Sequence, residues 1–479
     1  MQSHWDGPDW SIALVRFSLS QHTPSPPGYP IYIALGKVMH FFVSDIHMAI
    51  VLVSVFFSGI GAALLFFIGK TLFGRAVGII AALIFLSAPT MYFFGVTANP
   101  YGILPTTAAA LACVVFLIVF KKKKYGLILG TVFSIAIGIR PQDVLFLSPL
   151  FLFGLFHLKT RERVWAVISF FVSFLLWFLP NAYAVGGIQK YIHGLRLFSE
   201  QGAVSGISIN HLVNSWFVIL RGFFLTLGVA SVFLAFYFLD LLRAKKSKKQ
   251  LYILFLLWII PSLLFNAFVR SDHAAHQMAY LSGFIFLTSY AVWKTLIKHR
   301  RILVSSVAVI VLFNLYTFFR DRDVENTKPY VSQSYHNSEI RKNDTRLSAV
   351  SSFITDNYES GSTIVLVDPE IFRPVTYYLK KYRVYAYGVL DTNVVPYTDS
   401  VHFGYDWDYR FVKDTMHTLT VPKDVDTVIL IPNNKPYAVQ AERVMKIPLP
   451  GNAFIYSFIA KPGNRYALSV HRIEKINEK

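Results

Sequence analysis

Residues 103–124 read ILPTTAAALACVVFLIVFKKKK, an apolar run that ends in the four lysines Lys121 to Lys124. A membrane-spanning helix needs about 20 consecutive, mostly apolar residues. Lysines that directly follow such a run favour the cytoplasmic face of the membrane. The stretch therefore predicts a transmembrane helix with its C-terminal end in the cytoplasm.

The composition of the whole chain agrees with this stretch. Of its 479 residues, 54% are hydrophobic types, 16% are aromatic and only 15% are charged, and the mean hydropathy is +0.47. Soluble domains carry about 25% charged residues, so this chain cannot supply a soluble surface of that size. A cytosolic enzyme, a disordered tail and a fibrous repeat are excluded, which leaves a polytopic membrane protein.

The net charge of +19 has two interpretations. In a soluble protein it would favour nucleic acid as a partner. In a membrane protein it reflects basic cytoplasmic loops, so we expect no nucleic-acid partner. The chain has one cysteine, Cys113, which excludes an intramolecular disulfide and a zinc site built from cysteines.

Ten apolar runs are candidate membrane spans, and four basic clusters orient them. The clusters are Lys121–Lys124, Lys159–Arg163, Arg243–Lys249 and Lys298–Arg301. With all four in the cytoplasm, an even number of crossings must separate each pair, and the candidate spans obey this. The runs lie near 49–70, 76–92, 103–120, 125–139, 142–157, 164–181, 218–241, 251–269, 277–297 and 302–319.

The same parity predicts which segments lie outside the cytoplasm. They are residues 1–48, the 92–102 loop, the turn at Arg140, residues 182–217, the loop Arg270–His276 and everything after residue 320. No apolar run precedes the first outer loop, so we expect a first transmembrane helix to be missing from the sequence.

Two domains are predicted: a transmembrane domain over 1–320, with a catalytic outer loop at 1–48, and an extracytoplasmic α/β domain over 321–479. Strands are expected at Ser362–Val367, Arg383–Tyr387 and Thr427–Ile431, with a hairpin over 444–460. Helices are expected over 344–358 and near 370–381. No glycine-rich phosphate loop follows any of these strands.

The first outer loop carries the pattern HWDGPDW from His4 to Trp10, and PPGYPIY follows from Pro26 to Tyr32. Asp6 and Asp9 are three residues apart and share one face if the segment is helical. Two carboxylates so placed could deprotonate a hydroxyl or orient an acceptor. The alternative is that one of them caps a helix N-terminus.

These motifs resemble the first outer loop of GT-C superfamily membrane glycosyltransferases, in the branch of the protein O-mannosyltransferases and the lipid A aminoarabinose transferases. Two later stretches agree with the resemblance: GIRPQD from Gly138 to Asp143, and WFLPNAYAVGG from Trp177 to Gly187. The fold it implies is a polytopic α-helical membrane protein with a C-terminal soluble α/β domain.

The resemblance implies an inverting transfer of a sugar from a polyprenyl-phosphate donor to an acceptor on the extracytoplasmic side. The acceptor could be a lipid, a glycan or a protein, and membrane lipids surround the enzyme. Asp6 is expected to be the general base, with Asp9 second or orienting. Cations must bind the leaving phosphate, and the candidates are Arg140, Arg270, His276, Lys190 and Arg196.

Each candidate has a structural alternative. Arg140 could extend to the lipid interface, and residues 270–276 could be a solvated loop. Lys190 and Arg196 lie on a predicted amphipathic helix whose face could simply be interfacial. His273 and His276 have helical metal-pair spacing, but no second cluster supports a site. A divalent metal is therefore possible but unsupported, and no cofactor is required.

Two rival functions are a transporter or flippase of a lipid-linked saccharide and an inactive scaffold. A transporter would more often show internal repeats and charged residues near the midpoints of its helices. Here the apolar runs are almost free of acidic residues, which favours chemistry at the outer membrane surface. The scaffold would not need Asp6. Localisation is predicted as integral and multi-pass, in the plasma membrane if the organism is prokaryotic.

Overall fold

The computed structural model describes most of the chain. The described residues are 7–15, 17, 24, 28–192, 195–196, 209–234, 249–268, 274–320, 336–368, 371–386, 418–432, 437–469 and 472–476. They form two compact units. One unit contains residues 13–320, and the other contains residues 1–12 together with 321–479.

The unit over residues 13–320 is helical. Helix α1 (Gly7–Val15) begins in the other unit and ends in this one. The helices that follow are α2 (Pro30–Phe42), α3 (Ile46–Phe73), α4 (Arg75–Ser87), α5 (Pro89–Gly95), α6 (Leu104–Lys121), α7 (Gly126–Ile139), α8 (Val144–Phe156), α9 (Thr160–Ala184), α10 (Ile209–Leu227), α11 (Lys249–Phe268), α12 (Met278–Leu296) and α13 (Arg300–Phe319).

Within the described residues, six helices are long and apolar enough to cross a membrane. They are Ile46–Phe73, Pro100–Lys121, Thr160–Ala184, Leu212–Leu234, Gln250–Phe268 and Arg300–Phe319. A described helix lies in each of the ten predicted runs. The run 76–92 is divided into α4 and α5, which are bent by 64°. Pro89 begins α5, and a proline cannot continue the hydrogen bonding of the preceding helix.

Helices α7 and α9 pack closely because α7 carries a small residue every fourth position. A Cβ atom at Gly126 or Gly130 would overlap a backbone carbonyl oxygen of α9, that of Glu162 or Ala166 respectively. One turn further along, Trp177 donates a hydrogen bond from Nε1 to Oγ of Ser134 at 3.2 Å. Small residues at this spacing let membrane helices approach each other. The packing fixes the C-terminal end of α7, where Arg140 follows.

The second unit combines two helices with two sheets in its residues after 320. Its elements are α14 (Asn337–Asn357), β1 (Thr363–Val367), α15 (Phe372–Tyr378), β2 (Arg383–Ala386), β3 (Thr418–Thr420), β4 (Thr427–Ile431), β5 (Ala438–Gln440), β6 (Glu442–Leu449), β7 (Ala453–Ile459), β8 (Arg465–Ser469) and β9 (Arg472–Lys475). The fold class predicted from the sequence, a helical membrane protein with a C-terminal α/β domain, is confirmed by this architecture.

The five-stranded sheet has the order β2-β1-β4-β7-β6, and the four-stranded sheet has the order β3-β8-β9-β5. Strand β1 pairs in parallel with β2 and β4, whereas β7 pairs antiparallel with β4 and β6. Every residue of β1 is buried. Val365 and Val367 belong to one apolar cluster, and Ile364 and Leu366 belong to another, so both faces of this sheet are covered.

We predict that Gly130→Ala destabilises the helical unit, because the new methyl group would overlap the carbonyl oxygen of Ala166 and force α7 from α9. Overpacking of this kind costs about 1–3 kcal/mol. The midpoint of thermal unfolding in detergent should fall. Gly59→Ala on α3 is the matched control, since its Cβ would meet no atom within 4 Å. An equal midpoint for the two variants would contradict the packing described here.

Candidate functional site

Arg140 lies at the point where α7 ends. The residue before a proline is driven towards extended backbone, and Arg140 precedes Pro141 with φ −142° and ψ 100°. A short 3-10 turn, Pro141–Asp143, then leads into α8. The backbone N–H of Asp143 donates to the carbonyl of Arg140 at 2.9 Å. The local sequence therefore places an arginine and an aspartate three residues apart in one tight turn.

The two side chains form a buried ion pair. Nη1 of Arg140 donates to Oδ1 of Asp143 at 3.2 Å, and the side chains are 5% and 0% exposed. The guanidinium carbon lies 5.8 Å from the ring centre of Tyr101 and 5.9 Å from that of Phe146. A cation placed this way gains from the π-faces of both rings.

His276 completes the cluster from a distant part of the chain. Nη2 of Arg140 donates to Nδ1 of His276 at 2.7 Å, across 136 residues of sequence. A guanidinium has no acceptor atom, so Nδ1 accepts and the neutral imidazole carries its proton on Nε2. The ring of His276 also meets that of Tyr101 edge-on, with the centroids 5.7 Å apart. We call Arg140, Asp143, His276 and Tyr101 the arginine cluster.

Two buried amides hold the turn that carries His276. Nδ2 of Asn266, on α11, donates to the carbonyl of His276 at 3.4 Å. Nε2 of Gln277 donates to the carbonyl of Val218, on α10, at 3.0 Å. Both amide side chains are fully buried. These two hydrogen bonds therefore fix the backbone from which the imidazole of His276 extends.

Two polar atoms of the arginine cluster make no hydrogen bond to the described part of the protein. Nε of Arg140 and Oδ2 of Asp143 are buried and have no hydrogen-bond partner among the described residues. Buried polar atoms are nearly always paired with protein or with a bound molecule. The charges of Arg140 and Asp143 balance each other. The N–H at Nε of Arg140 can still donate a hydrogen bond to an anionic ligand. The arrangement is suited to binding an oxyanion such as phosphate.

The structure brings only some of the predicted site residues together. Arg140 and His276 meet directly, whereas Lys190 and Arg196 have exposed side chains. Asp6 and Arg270 lie outside the described residues, as does His273 of the suggested metal pair. Within the ranges that are described, no three His, Cys, Asp or Glu side chains come together as a metal site would need.

Asp9 lies in the other unit, in the first turn of α1. Its Oδ2 is 2.6 Å from Nη1 of Arg373, and its side chain is 6% exposed. The structure thus gives Asp9 a cationic partner that no local sequence pattern indicates.

Sequence reasoning missed Asp143, Tyr101 and Arg373. Asp143 ends the stretch GIRPQD, and its three-residue spacing from Arg140 is the sequence signal that could identify it. Tyr101 belongs to a 3-10 turn whose N–H groups at Tyr101 and Gly102 donate to the side chain of Asn99. Nothing in its neighbourhood along the chain points to a histidine at position 276.

Comparisons with known proteins agree with this fold. The family model described as dolichyl-phosphate-mannose-protein mannosyltransferase matches residues 25–183. The crystal structure of ArnT from Cupriavidus metallidurans bound to undecaprenyl phosphate aligns with a TM-score of 0.61 at 12% identity, covering 95% of this chain and 93% of that chain. The apo structure of the same protein gives a TM-score of 0.58 at 11% identity, with 94% and 93% covered.

A comparison with curated protein sequences gives no significant match. The family-model match and the shared fold confirm the resemblance to GT-C superfamily membrane glycosyltransferases. With the apolar helices, they also identify the chain as an integral, multi-pass membrane protein.

We predict strong coupling between Arg140 and Asp143. Asp143→Leu alone leaves a buried guanidinium without its carboxylate, and breaking such a pair costs about 3–5 kcal/mol. Replacing both residues, as Arg140→Met with Asp143→Leu, removes the charges together and should restore much of the loss. Thermal unfolding of wild type, both single variants and the double variant in detergent measures this coupling. Losses that simply add in the double variant would show that the pair does not interact.

Proposed function

We propose that this protein is a glycosyltransferase that moves a sugar from a polyprenyl-phosphate-linked donor to an acceptor on the extracytoplasmic side of the membrane. The family model that matches residues 25–183 is named for a lipid-phosphate mannosyl donor, and the matched ArnT structure holds undecaprenyl phosphate. Both support a lipid-phosphate sugar as the donor class.

The observation that carries this proposal is the arginine cluster. Arg140 is buried, is paired with Asp143 at 3.2 Å and donates to His276 at 2.7 Å, while its Nε lacks a hydrogen-bond partner in the described part of the chain. In the reaction proposed here, the leaving group is a polyprenyl phosphate that gains negative charge as its bond to the sugar breaks. A fixed guanidinium stabilises such charge more in the transition state than in the ground state.

His276 is a second candidate ligand at this site. Its Nδ1 accepts from Nη2 of Arg140, so its imidazole lies beside the guanidinium that we assign to the phosphate. Arg270 precedes His276 by six residues and is a further candidate for the same phosphate. Lys190 and Arg196 are candidates for the approach of the anionic donor.

The proposed reaction forms one bond and breaks one bond. The acceptor oxygen attacks the anomeric carbon from the face opposite the phosphate, the carbon–oxygen bond to the phosphate breaks, and the configuration inverts. The acceptor's proton moves to a carboxylate, which we assign to Asp6, and the phosphate leaves with the bonding electrons. The donor is already activated, so this sequence needs no nucleotide and no redox cofactor.

The roles of the two acidic residues differ in this proposal. Asp9 is held by the guanidinium of Arg373 at 2.6 Å, an arrangement that suits an orienting carboxylate. Asp6 precedes the first residue of α1 directly in the sequence. We therefore assign proton transfer to Asp6 and orientation of the loop to Asp9.

We expect Asp6→Asn to lose most transfer activity while it keeps donor binding, because the amide has the size of the carboxylate but cannot take a proton. Loss of a general base costs about 100- to 10,000-fold in rate. Transfer from a polyprenyl-phosphate sugar by the purified full chain measures the rate. Asp9→Asn should lose less. Full activity in Asp6→Asn with a dead Asp9→Asn would move the base to Asp9, and full activity in both would refute the assigned chemistry.

The topology proposed here has residues 321–479 outside the cytoplasm, since one span, α13, follows the basic cluster Lys298–Arg301. A reporter fused after Lys479 that is active only outside the cytoplasm should give a signal, and one active only inside should give none. Fusions at the Arg243–Lys249 loop provide the opposite control. A cytoplasmic signal at the C-terminus would reverse the side of every loop assigned above.

A further inference from the structure

We propose that Arg373 of the C-terminal α/β unit is a positioning residue for the catalytic loop. Through Asp9, it anchors the N-terminal segment, which we define as residues 7–12, on that unit. This inference rests on the proposed function, because it gives the α/β unit a role in the transfer reaction.

The first observation is the ion pair itself. Nη1 of Arg373 lies 2.6 Å from Oδ2 of Asp9, and the two side chains are only 15% and 6% exposed. Most ion pairs at a protein surface contribute little, whereas a buried pair leaves an uncompensated charge when one partner is removed. The geometry and burial therefore distinguish this pair from an ordinary surface contact.

The second observation is the apolar anchor three residues further on. Ile12 belongs to the buried cluster of the α/β unit that also contains Phe372, Val375 and Leu347. Residues three apart lie on one face of a helix, so Asp9 and Ile12 use the same face of α1. One face of the N-terminal segment thus carries both a charged and an apolar attachment to this unit.

The third observation is the position of Arg373 in its own helix. It is the second residue of α15, which spans Phe372–Tyr378. A cation in the first turn opposes the helix dipole and weakens a helix end. Asp9, by contrast, sits in the first turn of α1, where an anion is favoured. The placement of Arg373 is explained by its pairing with Asp9 and not by any benefit to α15.

The consequence for the chemistry follows from the short stretch of chain between Asp6 and Asp9. Asp6 is three residues before Asp9, and three residues span at most about 11 Å. An anchor at Asp9 therefore limits the volume in which the Asp6 carboxylate can move. Fixing a catalytic group matters because a displacement of about 1 Å can cost about 100-fold in rate.

The test compares transfer by wild type, Arg373→Met and Arg373→Lys. The Met variant should lose about 10- to 100-fold in kcat with the donor KM unchanged, because the base is displaced while the phosphate site is intact. The Lys variant keeps the charge and should regain part of the rate. Arg383→Met is the matched control, since Arg383 pairs with Asp424 in the same unit at a more exposed position. It should behave as wild type.

A charge swap makes the test specific for the pair. Asp9→Arg alone should lose activity, and adding Arg373→Asp should restore it by about tenfold or more, as expected for directly coupled residues. The swap also covers the case in which Arg373→Met does not fold, because it retains one ion pair. A swapped protein no more active than Asp9→Arg would overturn the positioning role.

Hydrogen exchange separates this inference from the proposed function. The amides of residues 7–15 should lose protection in Arg373→Met but not in Arg383→Met, whether or not a donor is present. Unchanged protection would overturn the anchor, and lost protection with full transfer activity would overturn the positioning role. If wild type transfers no sugar from any polyprenyl-phosphate donor tested, the proposed function fails, and the exchange result alone still decides whether Arg373 anchors the segment.

Discussion

A buried guanidinium in a membrane-spanning unit is the constraint on which the rest of this site depends. Arg140 is 4% exposed, and a charge inside a membrane protein persists only with a partner or a polar cavity. Asp143 balances the charge from one turn away through Nη1, and His276 accepts from Nη2. The turns that carry all three are fixed by Pro141, Asn266 and Gln277. The surrounding helices therefore serve to hold one cation in one orientation.

The α/β unit is stabilised by apolar packing on the two faces of its five-stranded sheet. The neighbouring strands β1 and β4 are buried, and their apolar residues alternate between two clusters, one of which also contains Ile12. The unit thus incorporates part of the N-terminal sequence into its own core. Together with the Asp9–Arg373 pair, this gives the C-terminal domain a structural connection to the loop on which the proposed chemistry depends.

Elements set by local pattern were predictable from the sequence. Helices occupy the apolar runs, and β1, β2, β4 and the β6–β7 hairpin lie where β-branched segments predicted strands. The bend at Pro89 was missed because the run 76–92 is apolar throughout. The sheet β3-β8-β9-β5 was missed because its strands are short, with three residues each in β3 and β5. Register and neighbours of such strands depend on tertiary packing.

In the candidate site, too, the residues within local motifs were predictable from the sequence, whereas their distant partners were not. The arginine-proline turn identified Arg140, and His276 was chosen as a phosphate ligand, but nothing in the sequence could pair residues 136 positions apart. The sequence predicts Asp9 as a second or orienting carboxylate beside Asp6. Its partner Arg373 lies in the polar C-terminal domain, which the sequence analysis treats as separate from the first outer loop. Long-range pairs of this kind are created by the fold and leave no local periodicity.

The central claim is that Arg140 binds the phosphate of the lipid donor, and the affinity of the purified protein for undecaprenyl phosphate tests it most directly. The double variant Arg140→Met with Asp143→Leu leaves no carboxylate unpaired, so its affinity reports the loss of the guanidinium. Charge-assisted hydrogen bonds contribute about 1.5–3 kcal/mol, which predicts binding weaker by about 10- to 100-fold. Arg383→Met should bind as wild type does. Equal affinity in the double variant and wild type would contradict this account.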